Sequence, residues 1–489
     1  MSRQVVAAAS NEEGPAGRIQ GLSAAGLLSS ARRIAALAWP VFIGQVAVLA
    51  FSTVDTVMAA RSSALDLAAL AVGAAAYISV FVGLMGVILA IGPIAGQLFG
   101  AGKLRESGVE TEQAAWLGLA LSVPGCALLL FPDPFLALAR AEPAVALKVH
   151  GYLAALAAAL PPALLFTAYR GFNVAVSRPK AVMLLQLGAF ALKVPLSALL
   201  VFGLELATPF GMLRMPAHGT VGCGIATAIV VWLQLGAAWL VLHRDPFYLD
   251  FGLGRRPAPP RRSSLIALLA LGVPMGLSIL VEVTGFTFMA FFISRLGAIA
   301  VAGHQIAANM ISMMFMLPLA IANASGVLVA QRIGAGDPGD ARRVALHGLS
   351  LGLGIAAGLG LTVYALRRVV VGLYSSDALI VGAAVPLLAW VGVFHLADAA
   401  QTIAAFVLRA YRVAVVPLVV YVVALWAVGL GGGYVAAFDL AGISPVWMRG
   451  AQGFWAMSTV GLVGAGIGLV GLLGWRLAQQ PPATAQGSS

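Results

Sequence analysis

The chain is 489 residues long, 61% apolar and only 10% charged, against roughly 25% charged in an ordinary soluble domain. Its mean hydropathy of +0.97 leaves too little polar surface to cover a water-soluble body of this size. A soluble enzyme, a secreted disulfide scaffold and a disordered chain are excluded together, which leaves a helical protein threaded through a lipid bilayer.

Residues 1–33 carry Arg3, Glu12, Glu13, Arg18, Arg32 and Arg33, with no apolar core before a small-residue cleavage site. They read as a cytoplasmic tail, not a signal peptide. A spanning helix needs about 20 mostly apolar residues. That ruler predicts twelve spans, at 34–60, 67–98, 112–131, 143–170, 180–204, 220–242, 264–293, 299–331, 342–366, 379–409, 413–437 and 451–476. Pro132, Pro134 and Pro143 mark one break, and Gly334, Gly336, Pro338 and Gly339 another. The expected organisation is a first six-helix bundle at 34–242, a cytoplasmic linker at 243–263 with Pro257, Pro259 and Pro260, a second bundle at 264–476, and a tail at 477–489.

With the N-terminus inside, most of the 29 Lys and Arg residues fall on the inner side, among them Lys103, Arg105, Arg178, Lys180, Arg261, Arg262, Arg332, Arg342 and Arg343. This bias places both termini in the cytoplasm. The formal charge of +11 is therefore an asymmetry across a membrane. It forms no basic stripe for nucleic acid, and no nucleic-acid partner is expected. Cys126 and Cys223 offer no metal spacing.

The chain repeats itself at an offset of 234. Leu37 and Pro40 recur as Leu271 and Pro274; Gln97, Gly100, Ala101 and Gly102 as Gln331, Gly334, Ala335 and Gly336; Phe172 and Arg178 as Phe406 and Arg412. Two related halves of six spans each enter from the same side, so their symmetry axis is expected along the membrane normal.

Three of the 18 acids fall inside spans: Asp55, Glu282 and Asp398. A charge near a helix centre costs about 2.5–3.5 kcal/mol on insertion scales, so such groups commonly face an ion or proton pathway. The plainer reading is a structural carboxylate held by a nearby donor. Asp55 is flanked by Ser52 and Thr56, whose hydroxyls are placed to solvate it. Glu282 has Thr284 and Thr287 nearby. Asp398 shares a helix face with His395 and Gln401. His304, Gln305 and Asn309 form a further polar group in the eighth span. Oxygens from Glu282, Asp398 and Asn309 suit a hard monovalent cation, while the same acids shielded from water suit protons. The sequence leaves Na+ and H+ both open. It has no Walker-type phosphate loop and no His-x-x-x-His pair, so neither ATP hydrolysis nor a zinc enzyme is expected, and no cofactor. The run Met310, Met313, Met314 and Met316 reads first as core, and second as an adaptable wall for varied ligands.

The stretches 40–59 (PVFIGQVAVLAFSTVDTVMA), 97–102 (QLFGAG), 281–309 and 397–412 (ADAAQTIAAFVLRAYR) together resemble the multidrug and toxic compound extrusion (MATE) family, in its NorM-like branch. The resemblance covers about 30–476. It implies an all-α integral membrane protein of twelve spans, in two pseudo-symmetric bundles around a central cleft. It implies export of organic cations in exchange for inward Na+ or H+, by a monomer in a bacterial-type inner membrane. It assigns Asp55 to proton and substrate coupling in the amino half, Glu282 and Asp398 to the cation site of the carboxyl half, and Asn173 to the amino-half polar network. Lys193 departs from the family, where Asn is usual at its place. Either it snorkels toward an interface, or its ammonium approaches Asp55 and holds it ionised. A flippase for lipid-linked sugars with a related two-bundle fold is the alternative function. A membrane-embedded enzyme lacks a convincing His, Cys or Ser pairing at membrane depth.

Overall fold

A computed structural model of the chain describes residues 24–139, 142–208, 211–253 and 257–479. Most of the two expected tails, with Arg3, Glu12, Glu13 and Arg18, lies outside the described residues, as do Arg140, Arg255 and Arg256. Twelve helices are long and apolar enough to span a bilayer: Gly26–Ser62, Ala64–Gly100, Leu104–Leu130, Pro143–Ala175, Pro179–Phe202, Thr220–Arg244, Arg262–Ser294, Ala298–Gly334, Pro338–Tyr374, Ala378–Ala410, Val415–Ala437 and Ala451–Ala478. An even number of spans brings the two ends of the chain to one side, here termed the terminal face; the opposite side is the far face.

Most helices run past the apolar stretches that signal them. The first begins at Ala24 rather than near 34, so Arg32 and Arg33 are helical. The ninth extends to Tyr374 and takes in Arg367 and Arg368. Some helix starts carry side-chain caps. The Asp337 side chain accepts from Asp340 N at 2.9 Å, and Asp377 accepts from Leu379 N at 2.8 Å. Each satisfies a backbone donor that has no partner in the first turn. One element was not anticipated. An antiparallel hairpin, β1 Leu204–Thr208 and β2 Gly211–Met215, follows the fifth span at the far face. The eleventh span contains a wide-wound π segment, Val422–Gly432.

The two bundles meet along the terminal side. The second and eighth spans cross there. A side chain on Gly100 would run into the Gln331 carbonyl, and one on Gly334 into the Gln97 carbonyl, so each glycine admits the partner backbone. Gln97 Nε2 then donates to Ala410 O at 2.7 Å, and Gln331 Nε2 donates to Ala175 O at 2.7 Å. The same motif thus latches both halves reciprocally. These acceptors, together with left-handed backbone at Ser177 and Arg412, put the turns after the fourth and tenth spans in register at offset 235. The Phe172–Phe406 and Arg178–Arg412 matches at 234 are therefore shifted by one residue in space.

The first and seventh spans cross between halves. Near its start the first is held to the ninth by Ser30 Oγ and His347 Nδ1 at 2.9 Å and by Arg33–Asp340 at 3.2 Å. The seventh is held to the third by Ser264 Oγ donating to Glu110 at 2.7 Å. Further along, Gly272 and Gly276 of the seventh span pack against Val87 and Gly83 of the second. Among the described residues, the hydrogen bonds and ion pairs found between the halves lie toward the terminal face.

Gly100→Val should push the crossing apart. Overpacking of this kind costs about 1–3 kcal/mol, read as a lower thermal midpoint in detergent. A midpoint equal to that of the unaltered chain would show that the backbones do not approach closely there.

Candidate functional site

In the amino half, the first and fifth spans pack side by side and the sixth closes over them. Lys193 is fully buried and Asp55 nearly so. The Lys193 ammonium lies 2.9 Å from Asp55 Oδ1 and 3.0 Å from Oδ2. It also donates to Cys223 O at 3.2 Å and to the Thr227 hydroxyl. The structure brings Lys193 to Asp55, and the ammonium does not reach an interface. The neighbouring hydroxyls do not solvate the acid. Ser52 Oγ donates to Leu49 O at 2.8 Å and Thr56 Oγ1 to Ser52 O at 2.9 Å, each turning back onto its own helix.

Asn173 is not part of that group. It lies in the last turn of the fourth span, at the terminal face, whereas Asp55 lies two turns from the far end of the first span. Asn173 Nδ2 donates to Tyr169 O at 2.9 Å, and Tyr248 OH of the linker donates to Asn173 Oδ1 at 2.6 Å. Burial raises the Tyr248 phenol above its ordinary pKa, keeping it a neutral donor. Asn173 anchors the linker; the sequence does not reveal this, because the partner is 75 residues away.

In the carboxyl half, Asp398 Oδ1 accepts from Gln401 Nε2 at 2.9 Å. That amide nitrogen also reaches Thr402 Oγ1 at 2.9 Å, and its oxygen accepts from the Tyr421 hydroxyl. Glu282, in the seventh span, lies close enough for its charge to act on Asp398, Tyr421 and Arg409. The seventh, tenth and eleventh spans therefore place two acids, an amide, a phenol and a guanidinium in one cluster, in which Glu282 is half-buried and the others are buried. Thr284 and Thr287 again bond to their own helix, to Leu280 O at 2.5 Å and Val283 O at 3.0 Å. His395 is fully buried, and its ring nitrogens find no hydrogen-bond partner.

The eighth-span group divides. His304 is buried, and its Nδ1 accepts from Trp455 Nε1 at 3.3 Å. Gln305 and Asn309 lie on an exposed face that continues to Ser312 and Met313. Among the described residues, no hydrogen bond joins Gln305 or Asn309 to Glu282 or Asp398. The three-oxygen set with Asn309 is thus not assembled in this structure. Three polar side chains on one exposed stripe are costly against lipid, which favours a water-filled cleft on this side. Among the described residues, no group of three or more His, Cys, Asp or Glu side chains forms a metal site. Glu282 and Asp398 stand as a pair of acids with neutral donors.

Three participants escape sequence reasoning. Tyr421 is embedded in an apolar run. Arg409 looks like one more basic residue at an inner helix end, yet it is buried and lies 4.4 Å from the Phe406 ring centre. Asp66, just outside the span expected at 67–98, is buried in the second helix. It accepts from Lys148 Nζ at 2.7 Å, Thr220 N at 2.8 Å and Ser63 Oγ at 2.6 Å. This staple ties the far-face ends of the second, fourth and sixth spans.

The family model MatE matches residues 40–199 and again 274–435, one stretch in each half. The chain belongs to the MatE family. It is 40% identical over 444 residues to a probable multidrug resistance protein NorM of Aromatoleum aromaticum, covering 90% of this chain and 92% of the relative. It is 33% identical to the multidrug resistance protein MdtK of Pectobacterium atrosepticum, covering 93% and 97%. Its fold matches the eukaryotic MATE transporter AtDTX14 with a TM-score of 0.80 at 19% identity, over 93% and 97% of the two chains. It also matches the bent form of the Vibrio cholerae MATE transporter VcmN, with a TM-score of 0.78 at 18% identity over 93% and 98%. This MatE protein is accordingly a twelve-span membrane transporter and not an enzyme.

Removing one partner of a buried ion pair typically costs about 3–5 kcal/mol, because the other charge is stranded. Lys193→Met in this MatE protein should therefore lower the thermal midpoint markedly. Asp55→Asn in the same chain should restore part of the loss. Strictly additive effects of the two changes would show that the groups do not interact.

Proposed function

We propose that this chain is a multidrug exporter of the inner membrane, expelling hydrophobic organic cations in exchange for inward Na+ or H+. The observation that carries the reading is the unequal treatment of its buried acids. Asp55 has a permanent internal cation in Lys193. Glu282 and Asp398 have an amide, a phenol and a more distant guanidinium. The carboxyl-half pair is therefore left for a travelling proton or cation to neutralise, and coupling runs through it.

The halves 34–242 and 264–476, joined by the linker 243–263, act as the two moving bodies. Their contacts toward the terminal face support a state closed on that side, with the exposed stripe of Gln305, Asn309 and Ser312 lining a cleft toward the far face. The excess of Lys and Arg on the terminal side supports its being cytoplasmic. Entry of Na+ or H+ from outside neutralises the acids and releases the organic cation. Breaking the glycine-lined crossing then opens the cytoplasmic side. The membrane potential contributes about 2.3 kcal/mol per net charge per 100 mV, so a one-for-one exchange of monovalent cations relies on the ion gradient alone. The chain works as a monomer, since each half supplies its own buried cluster.

The test is efflux of ethidium from proteoliposomes under separately imposed Na+ and pH gradients. One gradient should drive uphill export, and Glu282→Gln or Asp398→Asn should reduce that export at least tenfold. Full-rate gradient-driven export by the double variant would overturn the assignment. In the same vesicles, Lys193→Asn should shift the pH profile of transport by freeing Asp55 to titrate. An identical profile would remove Lys193 from the mechanism.

A further inference from the structure

A second cavity lies away from the cleft. It has a volume of about 410 Å³ and is walled by the third, fourth and sixth spans, with Leu253 of the linker closing one end. None of its lining comes from the first, second, seventh or eighth spans. Its residues occupy the parts of those spans nearest the terminal face. The size is sufficient for a small organic ligand.

The chemistry of the lining is specific. Trp232 and Trp239 stand at the mouth, 51% and 59% exposed, while Phe172 and Tyr169 form the buried floor. The single acidic side chain is Glu112, fixed by accepting from Ala258 N at 2.8 Å. No Lys, Arg or His contributes to the wall. The Tyr169 hydroxyl is buried beside Tyr248, whose own proton goes to Asn173. Aromatic faces attract cations, most strongly when desolvated, and a fixed carboxylate adds to that field. A phospholipid phosphate would meet this carboxylate with no lining cation to balance it. A bare acyl chain would leave the carboxylate unused.

We infer that this cavity is a lateral binding site for a hydrophobic organic cation dissolved in the adjoining leaflet. Given cytoplasmic termini, that is the inner leaflet, where amphiphiles entering the cell accumulate before export. The use of the site rests on the export function proposed above; the binding itself does not. Gly236 supplies the means of testing it. It lines the cavity, and a side chain built on it meets open space. A large residue there fills the cavity without displacing backbone.

Binding of tetraphenylphosphonium to the full chain in phospholipid nanodiscs, followed by equilibrium dialysis, should reveal two sites. Gly236→Trp should abolish one, Gly236→Ala should retain both, and Glu112→Gln should weaken one class several-fold. If Gly236→Trp fails to fold, Gly236→Leu and Trp239→Ala should still weaken that class. Unchanged stoichiometry and affinity in the folded plugging variants would overturn the inference. So would a phospholipid that co-purifies with the wild type, resists displacement by tetraphenylphosphonium, and is missing from Gly236→Trp. A chain that binds the lateral cation but exports none in vesicles would refute the export reading and leave the site intact.

Discussion

A carboxylate held in hydrocarbon needs a partner, and the choice of partner separates the two halves of this protein. In the amino half the partner is Lys193, covalently part of the bundle and buried with Asp55. In the carboxyl half the nearest donors to Asp398 are neutral: Gln401 directly, and Tyr421 through that amide. An ion pair closed on itself has little to offer a passing cation. Two acids sharing one guanidinium cannot both stay ionised in hydrocarbon without a further proton or cation. The repeat in the sequence does not extend to this chemistry. At the offset of 234, Asp55 corresponds to Met289, Glu282 to Val48 and Lys193 to Ala427.

What does repeat is the scaffold. Gly100 against Gln331 and Gly334 against Gln97 are one contact made twice, and each glutamine side chain reaches the turn of the opposite half. A contact duplicated about one axis is lost in both copies when the halves rotate, which favours two discrete arrangements over a continuum. The far face is built differently in each half. Asp66, Lys148 and Thr220 staple the amino half with charge. The carboxyl half is closed by edge-on and tilted rings, with Phe292 4.9 Å from Tyr434 and Tyr434 4.9 Å from Phe438. Arg295 donates to Tyr434 OH at 2.8 Å. Each half is therefore tied together at the far face within itself, so the two can separate there without losing their own packing.

Much of this was legible from the chain. Span number follows from hydropathy because the bilayer imposes a length, and each of the twelve helices overlaps the stretch expected of it, nine of them containing it whole. Asp55, Glu282 and Asp398 stood out because a charge in an apolar run has few explanations. Partners were harder to read. Lys193 was visible as an anomaly, but Thr227 and the Cys223 carbonyl complete its shell from another span. Arg409 and Asp66 were hidden by position, since a charge at a helix end usually reaches water, and these helices continue past the point where hydropathy falls. The group of Gln305 and Asn309 with the acids failed for a rotational reason. Sequence spacing says which residues share a helix face, but not which way that face turns.

That rotation has a functional consequence. The exposed stripe on the eighth span carries Gln305, Asn309 and Ser312, while the equivalent positions on the second span are Ala71, Ala75 and Ile78, exposed as well. The two exposed stripes are thus a polar one and an apolar one. Under the export reading proposed above, a ligand with a charged end and a hydrophobic body satisfies both at once, its charge toward the half of Glu282 and Asp398, its body against the half whose acid is already neutralised by Lys193. Neither wall alone would discriminate such a molecule from a simple ion or from a lipid chain. Duplication supplied two similar bundles. The divergence of their buried charges and exposed stripes is what supports the proposed amphiphilic cation between them.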